Sequence, residues 1–496
     1  MRVSVFRTVR RGLWRTPYIH FVVLACTMAA PAAALAESMT EALSSAYVTN
    51  PTMNAARAQQ RSVDEQIPIA NADLLPDVTF NADRGQEVRN LKLNPAAGGG
   101  AGLSSIFSEG KTRPAGYSFT LNQNLFRGFR TISAIREAKA NIFAGIEDLR
   151  NTEQTTLLNG ATAYIDVLQN QAIVRLQENN VKVLREQLKA TKDRFEVGEV
   201  TRTDVAQSQA SLSSAISQLS LARSNLKTAR ANYEEVIGHP PSELSQPAPI
   251  DGILPTDLQS ALLTADEESP TILNAIFLAE ASRYAVKELV GELLPEVTFE
   301  AEHQFRFEPS RTVEEQETTT FTGRVNVPLY QGGGVAAQIR QAKEVNRQRL
   351  DEVVASRTTA RADVVSAWGQ LVATRAQIES DESAVNANTI ALRGVREEER
   401  VGQRTVLDVL DAEQTLLDSQ VNLVTSKRDK VVAAYTVLQS VGRLDSYALN
   451  LPVQHYDPLL HYRKAKFKLL GLNPDRGSLI FQIFNSGAAY SDYPNR

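Results

Sequence analysis

The chain has 496 residues, of which 43% are hydrophobic but only 6% aromatic, and its formal net charge is −4. Abundant Ala, Gln, Ser, Val and Leu with few aromatic residues favour long helices over compact aromatic-rich cores. The single cysteine, Cys26, excludes a disulfide framework, and the mildly acidic charge gives no reason to expect nucleic-acid binding.

The N-terminus has the pattern of a secretory signal peptide. Five arginines precede an apolar stretch that ends in Ala34-Leu35-Ala36, an A-x-A cleavage site. We expect residues 1–36 to be removed by cleavage after Ala36, which brings the net charge to about −9. An uncleaved membrane anchor is the alternative, which the short run of small residues disfavours.

The rest of the chain is a tandem duplication. The phrase "LLPDVTFNA" at 74–82 returns as "LLPEVTFEA" at 293–301, and "VGEVTRTDV" at 197–205 returns as "VGQRTVLDV" at 401–409. Such self-similarity indicates repeated structural units. We predict a first repeat at 37–240, a Pro-rich linker at 241–256, a second repeat at 257–444 and a tail at 445–496.

Each repeat begins with a helical segment of about 35 residues that proline ends at Leu-Leu-Pro. Two strands follow in each repeat, and all four alternate apolar and polar residues over about nine to eleven positions, the length of a tilted membrane strand. A soluble sheet with one buried face is the alternative. The signal peptide and the ionic residues on the polar face of the strands favour membrane strands over a soluble sheet. The predicted strands cover 78–86, 117–126, 297–307 and 321–329.

Two very long helices follow the strands. Residues 131–197 and 335–401 contain no proline and few glycines, so each helix would reach about 100 Å. Segments 201–237 and 405–441 are predicted to run back as shorter helices. The long helices and their returning partners are therefore predicted to form an elongated structure that bridges two distant points.

The duplicated phrase predicts a tight reversal between each long helix and its returning helix. Gly198 and Gly402 suit the left-handed position that ends a helix. Thr201 and Thr405 then suit the N-cap of the next helix.

Three aspartates lie in these turns. Asp204 and Asp408 occupy the third helical position, close to a capping box. Capping does not account for Asp411, which forms an i, i+3 carboxylate pair with Asp408 on one helix face. An ordinary solvated surface pair is the alternative.

With these features the chain resembles the TolC family of outer-membrane export channels. The resemblance rests on the signal peptide, the duplication, the Leu-Leu-Pro turns, the long helices and above all "VGQRTVLDVLDAEQTLLDSQ" at 401–420. The tail phrase "YDPLLHY" is similar to the ending of members that serve type I secretion. The resemblance implies a mainly α fold with transmembrane β structure. In it, three subunits share one 12-stranded barrel, four strands each, continued by a helical periplasmic tunnel.

The same resemblance implies function and partners. The chain is expected to be the exit duct of a tripartite system for type I protein secretion, multidrug efflux or both. Its expected partners are its own copies in a homotrimer, a periplasmic adaptor (membrane fusion protein), an inner-membrane ABC or RND-type transporter, and outer-membrane lipid. No nucleic acid and no cofactor are expected.

In that family the second-repeat turn supplies a ring of aspartates at the periplasmic aperture, which matches Asp408 and Asp411. Arg404 and Asp204 match residues that hold neighbouring helices closed. Some members have a tyrosine where this chain has Glu399, and we expect its carboxylate to repel Asp204. In a trimer the two aspartates become six carboxylates, which favours cations and should raise some of their pKa values.

The two turns also match the grooves where an adaptor docks, namely Val197-Gly198 and Val401-Gly402. Opening requires a partner that binds the open state better than the closed one.

Enzyme motifs are absent from the sequence. The five histidines have no metal-ligand spacing, and there is no HExxH, GxSxG or CxxC motif. We therefore predict no catalytic, metal or cofactor residues. The main rival is a periplasmic coiled-coil structural or adaptor protein without a pore, which the four amphipathic strands disfavour.

Overall fold

A computed structural model describes residues 36–90, 109–310, 313–466 and 468, without the side chains of 89, 90, 109 and 110. The predicted signal segment up to residue 35, the Gly-rich sequence at 93–105 and the tail sequence beyond 468 lie outside these residues. The helices are α1 (Met39–Thr49), α2 (Pro51–Asp64), α3 (Gln66–Ala72), α4 (Arg130–Glu196), α5 (Arg202–Ile237), α6 (Leu258–Glu268), α7 (Pro270–Gly291), α8 (Gly334–Arg400), α9 (Val406–Ser440) and α10 (Pro458–Ala465). The strands are β1 (Asp77–Arg84), β2 (Glu87–Asn90), β3 (Glu109–Thr112), β4 (Ala115–Arg127), β5 (Glu296–Ser310) and β6 (Val313–Asn326).

Two helical hairpins, α4–α5 and α8–α9, dominate the molecule. The long helices α4 and α8 have 67 residues each, so each extends about 100 Å. Their bounds lie within one residue of those predicted, because no proline interrupts either segment. None of the helices in the described ranges combines the length and apolar character needed to cross a membrane.

The helical segments before the strands are divided, where the sequence predicted one segment of about 35 residues in each repeat. The first consists of α1, α2 and α3, and the second of α6 and α7. Proline is the cause at two of the breaks, because Pro51 and Pro270 each begin a new helix. Asn50 stabilises the first break, since its side chain accepts a hydrogen bond from the Thr52 N–H at 2.9 Å.

Four strands form one antiparallel sheet in the order β1-β4-β5-β6. The four predicted strands are confirmed, but β6 begins at Val313, eight residues before its predicted start. That extension pairs with β5 although its sequence, VEEQETTT, does not alternate, and the register shifts between the pairs Phe307–Glu315 and Ser310–Val313. Both its faces are exposed in the single chain. A second pair, β2 with β3, was not predicted.

A β-bulge corrects the predicted alternation in β4. Asn124 pairs with Thr298 and Phe126 pairs with Val297, so Leu125 is the extra residue. Phe126, rather than the predicted Leu125, therefore takes the position beside Val297 on the apolar face.

The middle of the molecule is a packed region that we call the waist, where α1, α2, α6 and the tail segment 443–466 pack on the long hairpins. The backbone carbonyl of Glu37 accepts a hydrogen bond from the Tyr164 hydroxyl at 2.8 Å, which fixes the start of the described chain. At the other end, Tyr462 of α10 is 1% exposed and packs beside Ile67 and Phe277. The described part of the tail, up to residue 466, thus contributes to the core.

Candidate functional site

Both hairpins reverse direction through the same backbone turn. Gly198 and Gly402 adopt φ values of +83° and +79°, in the left-handed region that favours glycine. In the first turn the N–H of Glu199 donates to the carbonyl of Arg194 at 2.9 Å, and the second turn repeats this bond from Gln403. These are Schellman motifs, which satisfy the last carbonyls of α4 and α8.

The predicted N-caps of the returning helices are confirmed. The Thr201 backbone N–H donates to the Asp204 carboxylate at 2.8 Å, and the Asp204 N–H donates to the Thr201 hydroxyl at 3.2 Å. Thr405 and Asp408 form the same pair at 2.9 and 3.2 Å. Each turn is thus closed by a full capping box.

An ion pair joins the two hairpins near their tips. Arg194 Nη1 on α4 lies 2.5 Å from Glu399 Oε1 on α8, and the Glu399 side chain is only 13% exposed. In the single chain an arginine from the other hairpin pairs with Glu399, while Asp204 bonds to Thr201. The expected repulsion between Glu399 and Asp204 stays a prediction. The bond to Glu399 raises the pKa of Arg194 above its ordinary value.

Among the described residues of the single chain, the ion pairs of Arg404 stay within its own hairpin. Its Nε lies 2.9 Å from Glu398 Oε2, and its Nη1 lies 4.0 Å from Asp408 Oδ1. The bond to Glu398 raises the pKa of Arg404, whereas the bond from the Thr405 backbone N–H lowers the pKa of Asp408. The increase expected from six crowded carboxylates requires three copies of the chain and stays a prediction.

Asp408 and Asp411 face away from the packed side of α9. Val406 and Leu410 are buried in a cluster with residues of α4 and α5. Asp408 is partly exposed and Asp411 is exposed. Within the described part of the chain, the Asp411 carboxylate makes no hydrogen bond or ion pair, so no local structural role accounts for it.

The apolar residues of the turns are also exposed. Val197 is 72% exposed and Val401 is 69% exposed. No Cβ contact restricts Gly198 or Gly402, because nothing lies within 4 Å of the position that a side chain would take. Both turns therefore present a free apolar surface at the tips in the single chain.

The sequence interpretation missed the charged partners of these residues, Arg194 and Glu398. It also missed Glu413, which is buried on α9 and pairs with Arg396 at 2.7 Å. A signal for the first two was present. Arg194 and Glu398 are 204 residues apart, so equivalent positions of the two repeats carry opposite charges.

Known proteins resemble the chain over most of its length. The profile of the family described as "Outer membrane efflux protein" matches residues 42–239 and 262–443. The outer membrane efflux protein BepC of Brucella suis is 38% identical over 484 residues, covering 96% of this chain and 100% of BepC. The outer membrane protein TolC of Escherichia coli is 24% identical, covering 84% of this chain and 85% of TolC. The alkaline protease secretion protein AprF of Pseudomonas aeruginosa is 26% identical, covering 83% and 85%.

Solved structures share the fold at low sequence identity. The Campylobacter jejuni CmeC outer membrane channel superposes with a TM-score of 0.74 at 16% identity, covering 87% of this chain and 89% of CmeC. CusC gives 0.70 at 16% identity, covering 82% and 92%. The outer membrane protein VceC of Vibrio cholerae gives 0.68 at 16% identity, covering 82% and 96%. The predicted fold class is confirmed.

Proposed function

The chain belongs to the outer membrane efflux protein family, and from this premise we propose that its hairpin tips form the periplasmic gate of a tripartite export system. The family places the chain in the Gram-negative outer membrane as an exit channel for efflux or secretion, and not as an enzyme. The resemblance to TolC is confirmed, and the rival of a structural or adaptor protein without a pore is wrong.

The proposed assembly is a homotrimer with one shared barrel. Strands β1 and β6 are the two edges of the four-stranded sheet, and each has an unpaired side in the single chain. An open edge of unpaired N–H and C=O groups cannot lie in lipid. Three copies joined β1 to β6 would close a barrel of twelve strands and leave no edge.

The proposed gate is a ring of six carboxylates. The observation that carries this proposal is the position of Asp411, which is exposed beside Asp408 near the tip and has no contact that explains it. Three copies of the pair around one axis would favour cations in the pore.

Within each subunit, the Arg194–Glu399 pair would hold the two hairpins together in the closed state. Arg404 and Asp204 would link neighbouring helices across the tip. In the single chain these two residues bond within their own turns, so such links would require them to exchange partners on assembly.

The proposed partners bind at the same end. Val197-Gly198 and Val401-Gly402 are exposed apolar turns that an adaptor could cover, and an inner-membrane ABC or RND-type transporter would deliver the cargo. BepC is named as an efflux protein and AprF as a protease secretion protein. We propose that the cargo is a secreted protein, small molecules such as drugs, or both.

Planar-bilayer conductance of the purified mature protein tests the gate. We expect a small, cation-preferring conductance, with the preference weakened in Asp411→Asn and further weakened in Asp408→Asn/Asp411→Asn. Asparagine keeps the N3 side chain polar, so the turn should survive. Asp204→Asn is the matched control for the capping position of the first hairpin: loss of its proposed link should change how often the channel opens but leave the cation preference, which the ring sets, unchanged.

An unchanged cation preference in the double variant would retain the channel and reject the aspartate aperture. No conductance from stable trimers would reject the pore. A preference reduced as strongly by Asp204→Asn would show that the turn, rather than the ring, controls the current.

A further inference from the structure

A cavity of about 470 Å³ lies at the waist, between the first repeat and the tail. It is far from the hairpin tips and plays no part in the proposed gate. Its volume is in the range of small-ligand sites. Basic and aromatic residues dominate its walls, and the side chains used below are Arg57, Arg61, His455, Tyr456, Asp457 and Lys464.

Unpartnered hydrogen-bond donors meet at this cavity. The Arg57 guanidinium lies over the rings of Tyr47 and Tyr456, at 4.5 and 5.4 Å from their centroids. Its Nη1 donates to Asn54 at 3.0 Å, but its Nε and Nη2 are buried without an acceptor. The Tyr456 hydroxyl is also buried without a partner. Burying donors without acceptors costs roughly 1–3 kcal/mol for each group.

The cavity also has an excess of positive charge. Arg61 and Lys464 both line it, and neither has a hydrogen bond or ion pair in the ranges that the structure describes. The one acid in its wall, Asp457, already accepts hydrogen bonds from Arg463 and from the Leu459 N–H. The site therefore offers several donors and cations, and its acid is already occupied.

Two nearby acids offset this charge only in part. Asp64 bonds to Gln60 and His461 at 2.9 Å each. The Glu153 carboxylate accepts the Ser446 N–H at 2.8 Å and interacts with the charge of Arg57, without forming an ion pair with it among the described residues. The side chains of Arg61 and Lys464 stay without an ion pair in those residues.

We propose that this cavity binds an oxyanion of the phosphate type, held by Arg57, Arg61 and Lys464. A phosphate group has several acceptor oxygens, and arginine binds it through two parallel N–H bonds. Such a ligand would satisfy the orphan donors of Arg57 and Tyr456. It would also tie the tail to α2, because Lys464 lies on α10 and Arg61 on α2.

The position of the cavity favours a soluble ligand over a lipid headgroup. Along α4, which begins directly after strand β4, the site is flanked by Ile142, whose carbonyl bonds to Gln60 next to Arg61, and by Glu153 near Arg57. These two residues are 12 and 23 residues from the start of the helix, which corresponds to about 18 and 35 Å. A phosphate group at the membrane surface near the strands would not reach the site.

Calorimetric titration of the full-length trimer in detergent with inorganic phosphate tests the proposal. We expect saturable binding, weakened about tenfold in Arg61→Gln and in Lys464→Gln, since each removes one charge-assisted contact. Both residues are only partly buried, so these variants should fold. Arg223→Gln is the matched control, because it removes one positive charge from an exposed pair with Glu178 on the first hairpin, outside the cavity wall.

Short-chain phosphatidic acid forms a second arm at equal phosphate concentration. Equal or weaker binding than inorganic phosphate supports a soluble ligand, while much tighter binding overturns that assignment in favour of a lipid. Absence of saturable binding by either probe overturns the site. An equal loss of affinity in Arg223→Gln and Arg61→Gln would do the same, because it indicates a general charge effect. Conductance measured on the same samples separates this result from the gate.

Discussion

The hairpin tips and the waist are stabilised in different ways. At the tips, glycine turns, capping boxes and partly exposed ion pairs fix the chain. At the waist, fully buried side chains such as Tyr462 and Asp64 pack between repeats and tail. Exposed ion pairs and caps each contribute about 1 kcal/mol or less, whereas a buried aromatic side chain contributes several times more.

This difference bears on how a gate can open. Regions with little buried apolar surface open at low free-energy cost, and a partner can shift such an equilibrium by a modest difference in affinity. The turns themselves meet that condition, although Val406 and Leu410 beside the second turn are buried against α4 and α5, while the waist keeps the hairpins together. Changes at the waist should therefore affect stability, and changes at the tips should affect the open–closed equilibrium.

The largest effect is expected from Tyr462→Ala. Tyr462 is fully buried in the cluster that joins α10 to α3, α4 and α7. Its truncation leaves a cavity and should destabilise the tail contact by about 3–5 kcal/mol. The measurement is the rate at which a protease releases the tail from the folded trimer.

Leu460→Ala is the control for this prediction. Leu460 lies on the same helix but is 50% exposed, so its truncation should leave the cleavage rate almost unchanged. Equal rates for Tyr462→Ala and wild type would mean that α10 does not secure the waist.

A second effect concerns pH. Burial raises the pKa of Asp64 from its ordinary value to about 6. The hydrogen bonds from His461 and Gln60 act to lower this pKa, and the negative charge of the nearby Glu65 acts to raise it. Because the folded state holds this proton more tightly than the unfolded state, the contribution of Asp64 to stability is present below pH 3.8. It is lost as the pH rises through about 6.

Asp64→Asn removes this titration and should flatten the pH dependence of tail release between about pH 4 and 6. The loss of stability in wild type over that interval is up to about 3 kcal/mol. Asp148→Asn, at an exposed position of α4, is the control. A wild-type profile that Asp64→Asn leaves unchanged would contradict the assignment.

How much of this could be predicted differs between the two regions. The tip turns were predictable because Gly402 and Thr405 act on their own backbone, and the 204-residue repeat showed each pattern twice. The Arg194–Glu399 contact could not be predicted, because it depends on how two long helices are rotated against each other. Nothing local in the sequence specifies that rotation.

The waist was harder to predict for the same reason. Asp64 and His461 are 397 residues apart, and a lone histidine in a polar tail gives no sign of its partner. The β-sheet was intermediate: alternation located all four strands. It could not reveal the bulge at Leu125 or the non-alternating start of β6.

A third prediction compares glycines with the same backbone conformation in the two regions. Gly402 at the tip and Gly442 at the waist have φ values of +79° and +85°. Alanine at Gly402 meets no atom within 4 Å, so only backbone strain of about 1–2 kcal/mol is expected. At Gly442 the new Cβ would lie 2.5 Å from the Glu268 carbonyl oxygen, so a greater loss is expected. Thermal melting of the two variants measures the difference, and equal losses would contradict the prediction.

The smallest effect on stability, and the most direct one on gating, is expected from Glu399→Gln. It removes the charge that pairs with Arg194 across the hairpins, at a cost of less than about 1 kcal/mol since Arg194 is partly exposed. Glu398→Gln removes an equivalent charge that pairs only with Arg404 in its own hairpin. If the hairpins separate when the gate opens, single-channel recording should show more frequent opening in Glu399→Gln than in Glu398→Gln. Equal opening in the two variants would mean that the hairpins of one subunit move together and that the gate opens between subunits.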